Sequence, residues 1–439
     1  MSRKNRSASI TAAPPRGVSR PPVMDNGKPA AAPKAAPKSV NPAVRVFHAI
    51  ASLKVTVGLL AGAMLIVLWG TLAQVDFGID IVVPNYFRSF LAWIPLKIIF
   101  LRQIDSEFLV PFPGGWAWGA AMLLNLAAAH ALRFKLSIKK VGIWMIHSGL
   151  IVLMLGELVT GLASVESRMV IEEGRTTSFL QDHRLCELAF VDASDSATDH
   201  TVVVPERLLH QAGRTIINPG LPANVKVVEF MANSSLLERI PDGIQNRATR
   251  GAGLRDVVQK EKVVSGVDKE GEGDVPSVYF ELLDKTSGES LGVWLASEHL
   301  KDQRVEIAGK TYEMSLRPKR TYLPYSFHLS KFTHDVYEGT DKPKDFRSYV
   351  HISEPASNTE RDTEIYMNTP LRFRGKTFFQ GGFLPPRLGR GTVLQVVDNP
   401  GRLLPYVACS LVSLGMLVHF GIHLARFFRT QRMNAVQSA

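Results

Sequence analysis

The sequence predicts a membrane protein of mixed class: four transmembrane helices, with a large extracytoplasmic β-sandwich-like domain between helices three and four. Three observations predict it. Four apolar stretches are long enough to cross ~30 Å of hydrocarbon. A long polar stretch between the last two alternates apolar and polar residues as strands do. Lys and Arg cluster beside the apolar stretches on one side only, as the positive-inside rule requires.

The averages conceal this division. The chain has 439 residues, 46% apolar and 21% charged, with a formal net charge of +11. Those fractions are ordinary for a soluble protein. Much of the excess charge lies in a basic tail and beside the apolar stretches, so it does not point to nucleic acid. The two cysteines, Cys186 and Cys409, fall in a polar and an apolar stretch, so no disulfide framework is expected. There is no CxxC and no CxxCH, which argues against a thiol–disulfide carrier and against haem attached through that motif.

Residues 1–45 are rich in Ser, Ala, Pro, Lys and Arg, with Asp25 the one acid. They read as a disordered, basic cytoplasmic tail. An organellar transit peptide has a similar composition. The four spans are 53–72, 116–132, 142–162 and 403–424. Helices are the form that satisfies backbone amides in lipid. Gly58 and Gly62 form a GxxxG in the first, a pattern that permits close helix contact and is also common in membrane helices at large. The 73–115 loop contains an apolar stretch, Phe87 to Leu101, broken by Arg88, Pro95 and Lys97; it reads as an interfacial or re-entrant element. Trp116 and Trp118 read as an interfacial belt.

Orientation follows from the basic segments: the tail, the loop with Arg133, Lys135, Lys139 and Lys140, and the 425–439 tail with Arg426, Arg429 and Arg432. All fall on one side, which is the cytoplasm or its plastid equivalent. Residues 73–115 and 163–402 lie on the other. The 163–402 segment is expected to be β-rich, with strands at Thr201, Asn224, Val278 and Thr392 and a flexible insertion near Ile240 to Val275.

The β-rich segment shows no ligand spacing among its histidines, such as His183, His328, His334 and His351. The spans do better. Intramembrane histidines mark function by default. His147 lies about five residues into span three and His419 about five residues from the end of span four, a similar depth at ~1.5 Å per residue. His423 is one turn from His419, and His130 is near the end of span two. Three helices thus carry histidine in one leaflet, a geometry for axial ligation of haem. His147 and His419 are the stronger candidates; His423 and His130 lie nearer the interface. Glu157 lies near the opposite edge, where snorkelling to water accounts for it.

The order of several short motifs resembles the ResB (CcsB) family of System II cytochrome c biogenesis. Span one ends Gly70-Thr71-Leu-Ala-Gln74, and span three opens His147-Ser-Gly-Leu. Met169 to Gly174 follows, then Leu323 to Phe332, Tyr337-Glu-Gly, Pro343 to Val350, Met367 to Gln380, and Asp398-Asn-Pro-Gly401. The resemblance covers about residues 47–425. It implies a membrane subunit that helps move haem across the membrane and present it to apocytochrome c CxxCH for thioether attachment. The subunit would be non-catalytic or co-catalytic within a haem lyase complex. The implied cargo is haem b, held transiently with His147, or alternatively His419, as axial ligand. The implied partners are a tryptophan-rich CcsA/ResC-type membrane protein, apocytochrome c and a thioredoxin-like thiol reductant. The implied location is the inner membrane, or the thylakoid membrane. Two other readings compete: a b-type membrane cytochrome in electron transfer, and a non-haem β-domain scaffold anchored by its spans.

Overall fold

The computed structural model describes residues 42–437, apart from 105, 107, 134–136, 193, 195–197, 238–245, 264–272, 340–342 and 385–388. The predicted tail up to residue 41 and parts of the predicted insertion lie outside the described residues.

Helix α1 (Pro42–Ile50) is followed at once by α2 (Leu53–Phe77). Ser52 caps α2, its Oγ accepting from Lys54 N at 3.3 Å. Beyond α2 the chain forms α3 (Ile79–Val82), then β1 (Leu91–Pro95), α4 (Leu96–Ile99) and β2 (Leu109–Pro113). β1 and β2 pair antiparallel. The sequence suggested an interfacial or re-entrant element here. It is a strap whose Ala92, Ile94 and Ile98 pack with Ile66 and Ala73 of α2. Its other side carries Phe90, Leu91, Trp93 and Phe108 exposed.

Helix α5 (Gly115–Arg133) packs on the first half of α2. The Trp118 ring fills the space a Cβ on Gly62 would need, while Gly58 has nothing within 4 Å. The GxxxG of α2 therefore receives a ring at one glycine and does not bring two helix backbones together. Asn125, buried in α5, accepts from Thr56 Oγ1 at 2.7 Å and donates to Ile50 O at 2.5 Å. That carbonyl is freed by the α1–α2 break, so the amide closes it.

Helix α6 (Val141–Ala163) and helix α8 (Leu404–Gln437) form the tightest helix pair; the four-residue α7 (Glu206–Leu209) lies between them in the chain. Three helical segments, Leu53–Phe77, Ile138–Ala163 and Leu404–Gln437, are long and apolar enough to cross a membrane. The predicted second span is a 19-residue helix, less apolar because Asn125 and His130 interrupt it. Gly142, Gly149 and Gly156 recur every seventh residue on α6 and are buried. They face Gly415 with His419, then Val412 with Ala408, then Leu404. Small residues on one stripe let two backbones touch.

The region between α6 and α8 is β-rich. One sheet of ten strands contains β3 (Val165–Glu172), β4 (Thr176–Asp192), β5 (His200–Pro205), β12 (Gln303–Ile307), β13 (Lys310–Val336), β14 (Pro343–Glu354), β15 (Thr359–Tyr366), β16 (Leu371–Phe373), β17 (Lys376–Phe383) and β18 (Gly391–Asp398). A four-stranded sheet contains β6 (Thr215–Ile216), β7 (Asn224–Met231), β10 (Ser277–Leu283) and β11 (Ser290–Ser297). The short β8 (Ser234–Leu237) and β9 (Val257–Lys260) pair with each other. Among the described residues all strand pairings are antiparallel.

The expectation of one sandwich-like domain resolves into two cores. In the first, Leu188, Phe190, Met314 and Leu316 of the large sheet pack against Val225, Val227, Phe280 and Leu282 of the small one, face to face. In the second, the large sheet curls on itself around Met169, Phe327, Phe378 and Leu394. Its terminal strands β15 and β16 are consecutive in the chain and joined by a bridge at Tyr366 and Thr369, so the curl is nearly closed. β4 and β13, 17 and 27 residues long, run through both cores. Between the pairs Gln181–Arg320 and Cys186–Pro318, β4 has Asp182 to Leu185 where β13 has Lys319 alone. Asp182 Oδ1 accepts from Arg184 N and Leu185 N at 2.9 and 3.1 Å and shapes the bulge. Beside it the Arg317 guanidinium meets Glu187 at 3.1 Å, both buried.

The described part of the predicted flexible insertion is ordered by contacts of its own. Val257 and Val258 are buried, and Asn246 Nδ2 donates to Gly253 O at 2.7 Å.

Candidate haem-ligand histidines

The four histidines of the predicted spans separate into two pairs on different helix contacts. His130 of α5 is buried, and its Nδ1 lies 3.1 Å from Leu126 O, one turn back. Its Nε2 lies 3.2 Å from His147 Nδ1 of α6, with ring centroids 4.7 Å apart at 73°. Trp144 sets its ring edge-on to His130 at 4.7 Å. The second pair lies along α8 alone. The rings of His419 and His423 are 4.6 Å apart, His419 half-buried against Gly142 and His423 exposed.

Helical phase explains the separation. Gly149, which faces α8, is two residues from His147, about 200° around the helix. His147 therefore faces away from α8, toward α5. The sequence places the four histidines on three helices in one leaflet, with His147 and His419 at similar depth; the structure brings together His130 with His147, and His419 with His423.

The geometry of the first pair favours one proton order. Leu126 O can only accept, so His130 Nδ1 donates to it. In neutral His130 the Nε2 is then the acceptor, and His147 Nδ1 must be the donor. The lone pair of neutral His147 is thereby assigned to Nε2. An imidazole whose Nδ1–H is held by an acceptor while Nε2 carries the lone pair is the usual form of a ligating histidine. The donor set fits an axial ligand to haem iron. His130, a weaker candidate by sequence, orients His147. Asn125 went unremarked in the sequence, yet it ties α5 to Thr56 and Ile50 and so fixes where His130 stands.

The β-region histidines are engaged otherwise. His351 lies between Asp362, 2.7 Å from Nδ1, and Glu360, and those two bonds raise its pKa above 6.5. His328 Nδ1 is 3.1 Å from Thr176 Oγ1, and His334 stacks on Phe346. Among the described residues no three His, Cys, Asp or Glu side chains gather as a metal site.

Residues 300–389 match the model of the ResB-like family. Over that segment the chain resembles the ResB-like family. The matched part runs from before β12 to beyond β17 and contains the β13–β14 hairpin. Both histidine pairs lie outside it. The chain is also similar to protein NrfI of Wolinella succinogenes, 29% identical over 105 residues. That match covers 24% of this chain and 11% of NrfI, so it spans a small part of that relative's length.

Proposed function

We propose that this chain is a ResB-like membrane subunit of a System II cytochrome c synthase. In this reading it helps move haem across the membrane and presents it to the CxxCH of apocytochrome c for thioether attachment. Haem b is cargo, held without a covalent bond. Helices α2, α5, α6 and α8 are the four spans, both termini are cytoplasmic, and the β-rich region is extracytoplasmic. The Lys/Arg bias of the 133–140 loop and of both tails supports that orientation. A tryptophan-rich CcsA/ResC-type membrane protein supplies the second axial ligand, and the present chain supplies His147.

The observation that carries the reading is the relay from Leu126 O through His130 to His147. It holds one imidazole nitrogen of His147 as a donor and the other as a lone pair inside an apolar helix pair. Haem supplies an iron that such a lone pair can ligate. The chain's own residues hold the tautomer and aim the ring. His419 is the alternative ligand, and its backbone is pinned at Gly142.

Co-expression with the partner and an absorption spectrum of the purified complex test this. His147→Ala should remove the low-spin, bis-histidine signature and abolish cytochrome c yield. His130→Ala should keep the ligand but lower haem occupancy, by about 10–100-fold in affinity if it acts as an orienting partner. Intact haem content and yield in both His147→Ala and His419→Ala would refute the assignment.

A further inference from the structure

A cavity of about 430 Å³ opens where the two β cores meet, flanked by the β4 bulge. It lies close to the membrane-spanning part: Arg168 in its wall is the fourth residue of β3, which begins two residues after α6 ends, and Ile79 of α3 forms part of the rim. Leu185, Phe230, Pro276 and Pro318 give it an apolar wall.

Its polar groups are unequally satisfied. Glu206 of α7 accepts from Cys186 N at 2.8 Å and lies 3.1 Å from His210 Nε2. Burial and that carboxylate push the Cys186 thiol up, so it stays protonated and unreactive. Asp182 is consumed by the bulge backbone. Two groups are left over. Arg168 Nε is buried with no hydrogen-bond partner among the described residues. The Glu298 carboxyl, on the turn after β11, makes no side-chain hydrogen bond among them, and no ion pair joins it to Arg168. The buried Arg168 Nε is costly unless something satisfies it, and the half-buried Glu298 carboxyl lining the same cavity is not its partner.

We propose that this cavity binds a carboxylate carried on an apolar body. The Arg168 guanidinium receives the carboxylate, the Glu298 carboxyl donates a hydrogen bond to it, and the Leu185–Phe230 wall takes the apolar part. Haem, with its propionates, belongs to this chemical class, and naming haem here rests on the function proposed above. A fatty acid is the other source of the same chemistry.

The charges around Glu298 favour its acid form. Arg168 faces it from β3, Glu206 from α7, Asp182, His183 and Arg184 from the β4 bulge, and Asp274 from the segment before β10. Burial pushes Glu298 up to about 7; Arg168 pulls it down and Glu206 adds to the rise. Below that pH it is a neutral donor and the cavity is an anion site. Above it, a second carboxylate repels the ligand.

The test uses the full chain in lipid nanodiscs with His147→Ala and His419→Ala both in place, so that neither candidate membrane ligand adds a haem signal. Octanoate should bind and octanol, with the same chain length, should not. Arg168→Gln should weaken octanoate by about tenfold or more, the loss of one charged hydrogen bond. Octanoate affinity should fall as pH rises through about 7, and Glu298→Gln should bind equally on both sides of that pH. This arm still decides if Arg168→Gln does not fold. Haemin should bind and be displaced by octanoate. Octanoate binding without haemin binding keeps the carboxylate site and removes haem as its occupant. Equal binding of octanoate and octanol, or a Glu298→Gln pH profile like that of the parent, overturns the site whatever haemin does.

Discussion

Alanine at Gly415 should destabilise the α6–α8 pair, and alanine at Gly58 should not. A Cβ on Gly415 would lie 2.8 Å from Ile146 N, 2.8 Å from Met145 Cβ and 2.9 Å from Gly142 O. Carbon contacts are at rest near ~3.5–4 Å. All three neighbours are backbone or the first side-chain carbon, so none can swing aside. The helices must part by roughly 1 Å there, and such overpacking costs about 1–3 kcal/mol. Replacing a mid-helix glycine by alanine returns up to ~1 kcal/mol of helix propensity at either position. At Gly58 nothing lies within 4 Å, so only the gain applies. The difference between the two variants isolates the packing cost, about 1–3 kcal/mol, or roughly 5–150-fold in the unfolding equilibrium. Reversible unfolding in mixed micelles, titrated with a denaturing detergent, measures it. Equal stability of Gly415→Ala and Gly58→Ala would show that the glycine stripe is not a contact.

Two more outcomes follow from polar groups. Glu187→Gln leaves the buried Arg317 guanidinium without its counter-charge and should cost about 3–5 kcal/mol, seen as a lower denaturant midpoint, while the conservative Glu187→Asp should cost less. His351 has its pKa raised by Asp362 and Glu360, so its contribution is fully present below 6.5 and is lost as pH climbs through the raised value. The thermal midpoint of the parent should therefore fall over that window, and His351→Gln should flatten the fall; identical profiles would remove His351 as its source.

The helices were legible because an apolar run of that length has no other stable use. Their ends were less so: α2 and α8 run past the apolar core, to Phe77 and Gln437, since nothing in the sequence breaks them. The histidines of the three helices were also legible, since their places in the apolar runs are read directly from the sequence. Their pairing was not. It depends on α6 presenting its glycines to α8, leaving His147 to α5, and on Asn125 seating α5 at the α1–α2 break. The seventh-residue glycine spacing was open to inspection and would have given the phase. The β character of 163–402 was readable from alternation, but the two cores were not. They follow from a four-against-one bulge in β4, whose only local mark is Asp182 turning onto Arg184 and Leu185. The cavity beside that bulge has no motif at all, because Arg168 and Glu298 are 130 residues apart and meet through folding alone.

The helix pair α6–α8 and the strand pair β3–β18 are one ribbon. Val165, the first residue of β3, is paired with Asp398, the last of β18, and a single residue separates α6 from that rung. On the other side Gly401 touches Thr160, and Asn399 bonds Thr160 Oγ1 at 3.2 Å. Such a joint has little slack, so it acts as the fulcrum of a lever. The β3–β18 arm is eight residues long, ~26 Å at about 3.3 Å per residue. A tilt of about 10° between the helices and the strands would swing its far end by roughly 4–5 Å over that arm. That far end, near Gly391 and Glu172, adjoins the β13–β14 hairpin within the family-matched segment. A small tilt of the α6–α8 pair would thus be felt at that hairpin, because Ser164 alone links α6 to β3 and Thr160 holds the 399–401 turn on the other side.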